Sequence, residues 1–183
     1  MSLFHAFDAS TPPDVAPPGY QAVMGYIGGE TPHVWTPAEW RRFAHLRQLP
    51  IWVARFTEPA VSEAVEAAGV ARELGWNDNG TRAILGDFED VTDPRWIAAW
   101  GHEIVNWGYI PWGYESANVR AANPPLLGLV IAQWNGIPNV PRPDPPIIGH
   151  QYDHDRPWHD VTIDLDVFDS TVWDHFGFGP RKG

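Results

Sequence analysis

Cysteine is absent from the 183 residues. Disulfides and cysteine-ligated zinc are therefore excluded. Positive charge is scarce: 12 Lys and Arg stand against 23 Asp and Glu, a formal net charge of −11. No basic stretch stands out, so no nucleic-acid partner is expected, and polyanions in general are disfavoured. No apolar run is long enough to span a bilayer, so no membrane partner is expected either. The opening Met1-Ser2-Leu3-Phe4-His5 has no basic region leading into an apolar run, so the expectation is no signal peptide. No Gly-rich phosphate loop follows the first apolar segment, and neither an internal repeat nor a linker interrupts the chain. A single domain over residues 1–183 is the expectation.

What is present suits a packed core. Hydrophobic residues make up 44% and charged residues 19%, which is globular rather than disordered material. Eleven Trp and 19 Pro are both high. Indole rings fill cores by default, and in clefts they also stack on the apolar faces of sugars.

The stretch Ala83-Ile84-Leu85-Gly86-Asp87-Phe88-Glu89-Asp90 organises the reading. Residues two apart on a strand point to the same side. A strand carried through Glu89 would put Asp87 and Glu89 on one face and Phe88 on the other. Two acids on one face repel, so one pKa tends to rise, which suits general acid/base work.

Seven more short apolar segments read as strands: Phe4–Ser10, Gln21–Ile27, Pro50–Phe56, Tyr109–Tyr114, Leu126–Ala132, Ile147–Tyr152 and Val161–Asp166. Thr36-Pro37-Ala38-Glu39 starts a helix as N-cap, first-turn proline and capping box. A second helix runs from Pro59 to Leu74 and stops at Gly75; a third opens at Asp93-Pro94 and closes at Gly108. Ser116 caps a short helix to Ala122 in this reading, and Thr171 to Phe176 adds a final helical turn. The proline-rich stretches 11–19 and 135–146 are loops. Eight strands with intervening helices favour an α/β fold, an irregular (β/α)8 TIM-like barrel. Helices are missing or short at links 1–2, 6–7 and 7–8. The runner-up is a doubly wound open sheet.

In such a barrel the C-terminal strand ends converge on one mouth. Asp8, Arg55, Asp87, Glu89, Glu115, Gln133, Gln151, Tyr152, Asp164 and Asp166 fall at those ends, with Trp112, Tyr114 and Trp134 nearby. Carboxylates around an aromatic-lined cleft look like a glycoside-processing site. Trp112, Tyr114 and Trp134 read equally as sugar platform or core. Arg55 reads as an ion-pair partner for the acids before it reads as a substrate clamp.

The ordered set Phe7-Asp8-Ala9-Ser10, Tyr26-Ile27-Gly28-Gly29, Asp87-Phe88-Glu89, Gly113-Tyr114-Glu115-Ser116, Gln151-Tyr152 and Ile163-Asp164-Leu165-Asp166-Val167-Phe168 resembles glycoside hydrolase family 25, the lysozyme-like muramidases. It looks closer still to the actinobacterial glycoside-hydrolase-like domain of unknown function 1906. The resemblance implies an irregular barrel and hydrolysis of bacterial cell-wall peptidoglycan. It implies Glu89 as general acid and Asp87 as the group that orients the 2-acetamido substituent or stabilises the oxocarbenium-like transition state. Asp8 and Asp164 would complete the acidic floor. Tyr114, Trp112, Gln151, Tyr152, Trp134 and Arg55 are the candidate substrate contacts. Asp166 stands where that family usually has Asn, and the string Trp52-Val53-Ala54-Arg55-Phe56 occurs earlier than a similar string there.

No cofactor is expected. The cluster His150, Asp153, His154, Asp155, His159 and Asp160 matches no ligand spacing, so a polar loop at the mouth is expected rather than a metal site. The expected partner is cell-wall glycan, joined by other virion proteins if the chain is a phage product. The expected location is synthesis in a bacterial cytoplasm, with action at the wall after lysis or as part of a virion. The competing reading is a non-catalytic glycan-binding or structural barrel of a phage tail or similar particle.

Overall fold

The computed structural model describes residues 2–76, 82–89, 93–116, 126, 128–140 and 147–177. Eight strands close a barrel in sequence order: β1 (Leu3–Asp8), β2 (Ala22–Gly29), β3 (Arg47–Val53), β4 (Ala83–Asp87), β5 (Ile110–Ser116), β6 (Gly128–Ala132), β7 (Ile147–Trp158) and β8 (Val161–Asp169). Among the described residues, three α-helices pack outside: α1 (Pro37–Arg42), α2 (Ala60–Glu73) and α3 (Pro94–Asn106). The barrel is α/β and irregular, as the strand count implied.

The six pairings from β1 to β7 are parallel. The last strand departs from that pattern. β8 runs antiparallel to both β7 and β1. The connection is the reason: His159-Asp160 leaves room only for a hairpin turn between paired Trp158 and Val161, whereas a parallel return needs a crossover. His159 takes a φ of 52° in that turn. The hairpin also carries β7 on to Trp158, well past the expected end at Tyr152.

Helix α1 starts as its sequence dictates. Thr36 N–H donates to Glu39 Oε2 at 2.6 Å, and Glu39 N–H donates to Thr36 Oγ1 at 3.3 Å. It ends at Arg42, however, and Arg47-Gln48-Leu49 joins β3. Strand β3 in turn stops at Val53, before Ala54-Arg55-Phe56. Ser116 ends β5, and the rest of the expected short helix, 117–122, lies outside the described residues, as does the 141–146 part of the proline-rich loop.

Two apolar layers hold the structure. Phe7, Val23, Trp52, Ile84 and Phe88 point outward from the strands into a layer shared with Trp35 and Trp40, the alanine face of α2, and Ile97 and Trp100 of α3. Met24, Ile51, Leu85, Trp112, Tyr114, Val130 and Phe168 fill the barrel interior. The 3-10 turn Ser170–His175 and Phe176 close one end. Phe176 packs edge-on against Phe4 and Phe168 at 5.1 and 5.0 Å between ring centres. Gln48 and Gly177 then exchange two backbone hydrogen bonds of 2.8 Å. The open end is therefore the one at which β1 and β4 finish in Asp8 and Asp87.

Candidate functional site at the open end of the barrel

A cavity of about 220 Å³ opens at the C-terminal end of the parallel strands. Five carboxylates line it, from Asp8, Asp87, Glu89, Asp155 and Asp164; Tyr26, Tyr114, Trp134, Gln151 and His154 complete its polar and aromatic wall. Met24, Ile51 and Leu85 form the apolar base. Among the described residues, no Lys or Arg lines it.

Strand alternation explains the acidic wall. Asp87 is the last residue of β4 and is half-buried; Glu89 follows in a turn and is exposed. Phe88 between them is fully buried on the outer side, edge-on to Trp100 at 5.2 Å. It lies against Gly86, where a Cβ would meet its ring at 2.3 Å. This anchor fixes the strand end, so both acids must face the cavity. Glu89 N–H donates to Asp87 Oδ1 at 3.2 Å, so Asp87 also shapes the turn that carries Glu89.

Gln151 joins the opposite wall into one network. Its Oε1 accepts from Tyr114 Oη at 2.6 Å and from Trp134 Nε1 at 2.7 Å. Its Nε2 donates to Asp8 Oδ2 at 3.1 Å and Asp164 Oδ2 at 3.4 Å. Two N–H and O–H donors on one side and two carboxylates on the other fix the amide's orientation. Asp164 Oδ1 accepts the backbone N–H of Asp155 at 2.7 Å. Asp155 sits at φ 52° in the irregular part of the β7–β8 pairing, which turns its N–H into the site.

The electrostatics follow from burial. Asp8 is 3% exposed. Burial, and then repulsion from Asp164, raise its carboxyl, while hydrogen bonds from Asp166 and Gln151 pull it back. Asp164 is raised by burial, against the opposing pull of the Asp155 N–H. Tyr26 and Tyr114 are pushed well up by burial and then by the facing carboxylates, so both phenols stay neutral donors.

The structure thus brings together Asp8, Asp87, Glu89, Asp164, Tyr114, Trp134 and Gln151 of the sequence candidates. Of the residues named as catalytic or substrate-contacting, it leaves three elsewhere. Trp112 shares the inward face of β5 with Tyr114 but lies two residues deeper, fully buried and stacked on Phe168 at 6.2 Å, so it is core and no sugar platform. Tyr152 follows the inward Gln151 and so faces outward, on the side of Tyr20. Arg55 lies beyond the end of β3 and is held by α2: its Nε donates to Glu63 Oε1 at 2.6 Å, and its Nη2 pairs with Glu66. Glu115 alternates outward from Tyr114 and is 2% exposed.

Sequence reasoning missed Tyr26 as a site member; it placed His154 and Asp155 in a polar loop at the mouth without naming them as site residues. Tyr26 carried a signal, being an aromatic two residues from an inward Met24 on the same strand. His154 and Asp155 were visible only as a polar cluster, since the hairpin that lays them over the mouth depends on the reversal of β8. Among the described residues, no group of three His, Asp or Glu side chains is arranged to hold a metal ion. His150 is spent inside, with Nδ1 2.6 Å from the carbonyl of Asn139 and Nε2 2.8 Å from that of Gln133.

No known protein-family model matches the chain, and no curated protein matches it. Among solved structures, the barrel is similar to the 1.07 Å crystal structure of an uncharacterized B. stearothermophilus protein. The TM-score is 0.66 at 21% identity, over 94% of this chain and 99% of that one. At that identity the likeness establishes the shared fold and nothing about chemistry.

Proposed function

We propose that this protein is a glycoside hydrolase acting on bacterial cell-wall peptidoglycan, in the manner of the family 25 muramidases it resembles. The observation that carries the reading is the placement of Asp87 and Glu89 on one wall of a cavity whose other wall is Asp8, Asp164 and Gln151. Glycosidic cleavage needs one carboxyl to protonate the leaving oxygen and others to stabilise positive charge developing at the anomeric carbon. Glu89 stands outermost, where a leaving sugar departs, and takes the acid role. Asp87, one strand position deeper and half-buried, faces the reacting ring. The exposed indole of Trp134, tied through its Nε1 to Gln151, offers a flat apolar face at the lip.

Two further features support an enzyme over a purely structural barrel. Arg55 is committed to Glu63 and Glu66 and does not bridge the acids. Residues 135–140 of the proline-rich loop do not line the cavity. The setting proposed is a wall-active hydrolase of a phage or of a bacterium.

The test is release of reducing ends from purified peptidoglycan, wild type against Glu89→Gln. Hydrolysis by the wild type and its loss in the variant is the expected result. Equal background release by both would remove the enzyme reading and leave the glycan-binding or structural barrel.

A further inference from the structure

Asp166 plays no part in the cavity wall, yet it is a fully buried carboxyl directly beneath it. Its place follows from register. On β8 it lies two residues from Asp164 and so shares the inward face; across the seam it pairs with Ala6 of β1 and Gln151 of β7. It is 0% exposed, and neither of its oxygens meets a hydrogen-bond donor among the described residues. Because Asp8 pairs with Asp164 and Ala6 with Asp166, Asp8 is its diagonal neighbour on the inward face of the β1–β8 seam. Asp8 is the differently placed partner, because Gln151 Nε2 already donates to it at 3.1 Å. Gln151 cannot turn to serve Asp166 with its carbonyl or share its amide more widely. Its Oε1 is held by Tyr114 and Trp134, and its Nε2 by Asp8 and Asp164.

Two adjoining buried carboxyls cannot both carry charge, so the pair keeps a proton. We propose that Asp166 is a positioning residue that holds this proton at neutral pH and donates it as a hydrogen bond to Asp8, leaving the charge on Asp8 at the base of the cavity. As a carboxylic acid, Asp166 acquires the partner it otherwise lacks. As a carboxylate it would be buried with no donor at all, the costliest state of such a group.

The groups that face it agree. Asp8 on β1 and Asp164 on β8 both oppose its ionisation, as does burial. Tyr20, Tyr26 on β2 and Tyr114 on β5 also face it and are phenols that stay neutral. Among the described residues no cation favours its ionisation. For the proposed hydrolase the consequence is a fixed negative charge at Asp8, under the reacting sugar; that consequence rests on the glycosidase reading, whereas the proton's location does not.

The test uses no glycan. Infrared spectra of the wild type at neutral pH should contain the C=O stretch of a protonated carboxylic acid, shifted in heavy water and absent from Asp166→Asn. Thermal melts give the second readout. Asn supplies the same donor without a proton that must be retained, so Asp166→Asn should melt above the wild type at neutral pH. The gap should close toward about pH 4, where the unfolded-state carboxyl also becomes protonated. Absence of the band in the wild type overturns the proposal. So does a band that survives in Asp166→Asn and disappears in Asp8→Asn, which would place the proton on Asp8. A variant that melts lower than the wild type at neutral pH, or whose gain is the same at both pH values, does so too.

Discussion

Replacing Gln151 by methionine removes four hydrogen bonds while nearly keeping the side chain's shape. The cost can be worked partner by partner. Tyr114 is 9% exposed, and its hydroxyl has Gln151 Oε1 as acceptor at 2.6 Å. Stranding that donor costs about 1–3 kcal/mol. Asp8, 3% exposed, loses the amide that donates to it at 3.1 Å, and a bond to a charged group is worth about 1.5–3 kcal/mol. Trp134 is 54% exposed, so water replaces its lost acceptor. Asp164 keeps the Asp155 N–H at 2.7 Å and loses only the longer contact of 3.4 Å. The sum is about 2.5–6 kcal/mol, or about 5–24 °C in Tm for a domain of this size. Thermal melts followed by circular dichroism measure it. Gln151→Glu supplies the sign check. Burial beside Asp8 and Asp164 raises the new carboxyl above its unfolded value of about 4.3. The neutral acid can stand in for the amide, so this variant should approach the wild type below about pH 4. It should then lose stability, by up to about 1.4 kcal/mol per pH unit, as pH climbs toward the raised folded pKa. A Gln151→Met cost under about 1 kcal/mol would show that the network does not hold the wall. Equal damage by Gln151→Glu at acid and neutral pH would show that the acids do not face it as charges.

Glu89→Gln should lower peptidoglycan hydrolysis by at least about 10²–10⁴-fold, the usual worth of a general acid, with an unchanged melting temperature because Glu89 is exposed. Trp134→Ala should weaken glycan binding by about 2- to 12-fold, the equivalent of about 0.5–1.5 kcal/mol of ring contact, and cost little stability; titration calorimetry with soluble wall fragments measures it. Gly86→Ala forces Phe88 off its seat and should destabilise by about 1–3 kcal/mol in a chemical-denaturation midpoint, with hydrolysis falling as well because the turn carrying Glu89 moves. Wild-type stability should decline from about pH 5 to about pH 8. Asp8, Asp164 and Asp166 all have folded pKa values above their unfolded ones, so their contribution is complete below about pH 4 and is lost as pH rises; a melting temperature that climbs across that window would contradict the buried acid cluster.

The barrel was legible because strand alternation and helix caps are local signals. The run Ala83–Asp87 is apolar and bounded, and Thr36 with Glu39 forms its capping box from four consecutive residues. What local signals do not carry is where a competing element takes over. The apolar stripe ending in Leu46 and Leu49 continues the period of α1, yet Leu49 is fully buried inside the barrel as part of β3. Tertiary burial there outweighs helix periodicity. Arg55 was read toward the mouth acids because it follows an apolar strand, but Glu63, 1% exposed and already accepting from Trp52 Nε1 at 2.8 Å, needs a cation closer at hand.

The site was legible in the same measure, and its errors have one geometric origin. Equating the end of each strand in sequence with the mouth works for β1 and β4, which run parallel, and brings Asp8 and Asp87 to the cavity. On β8 the direction is reversed, so the residues entering the strand lie at the mouth and the later ones go deeper. Asp164 pairs with Asp8 and reaches the cavity, while Asp166 pairs with Ala6, one layer beneath. Had β8 run parallel, Asp166 would sit nearer the solvent than Asp164. The reversal thus turns a pair of alternating acids into two different groups: one that contacts the cavity, and one that is denied water and whose neutral form has a partner in Asp8. The same hairpin brings His154 and Asp155 over the opening, where His154 lies 4.1 Å from the Trp134 ring centre. A change that lengthens the His159-Asp160 turn should therefore disturb the lip, through His154 and Asp155, before it disturbs the Asp8–Asp166 seam, because the seam's register is set by six paired residues between β1 and β8.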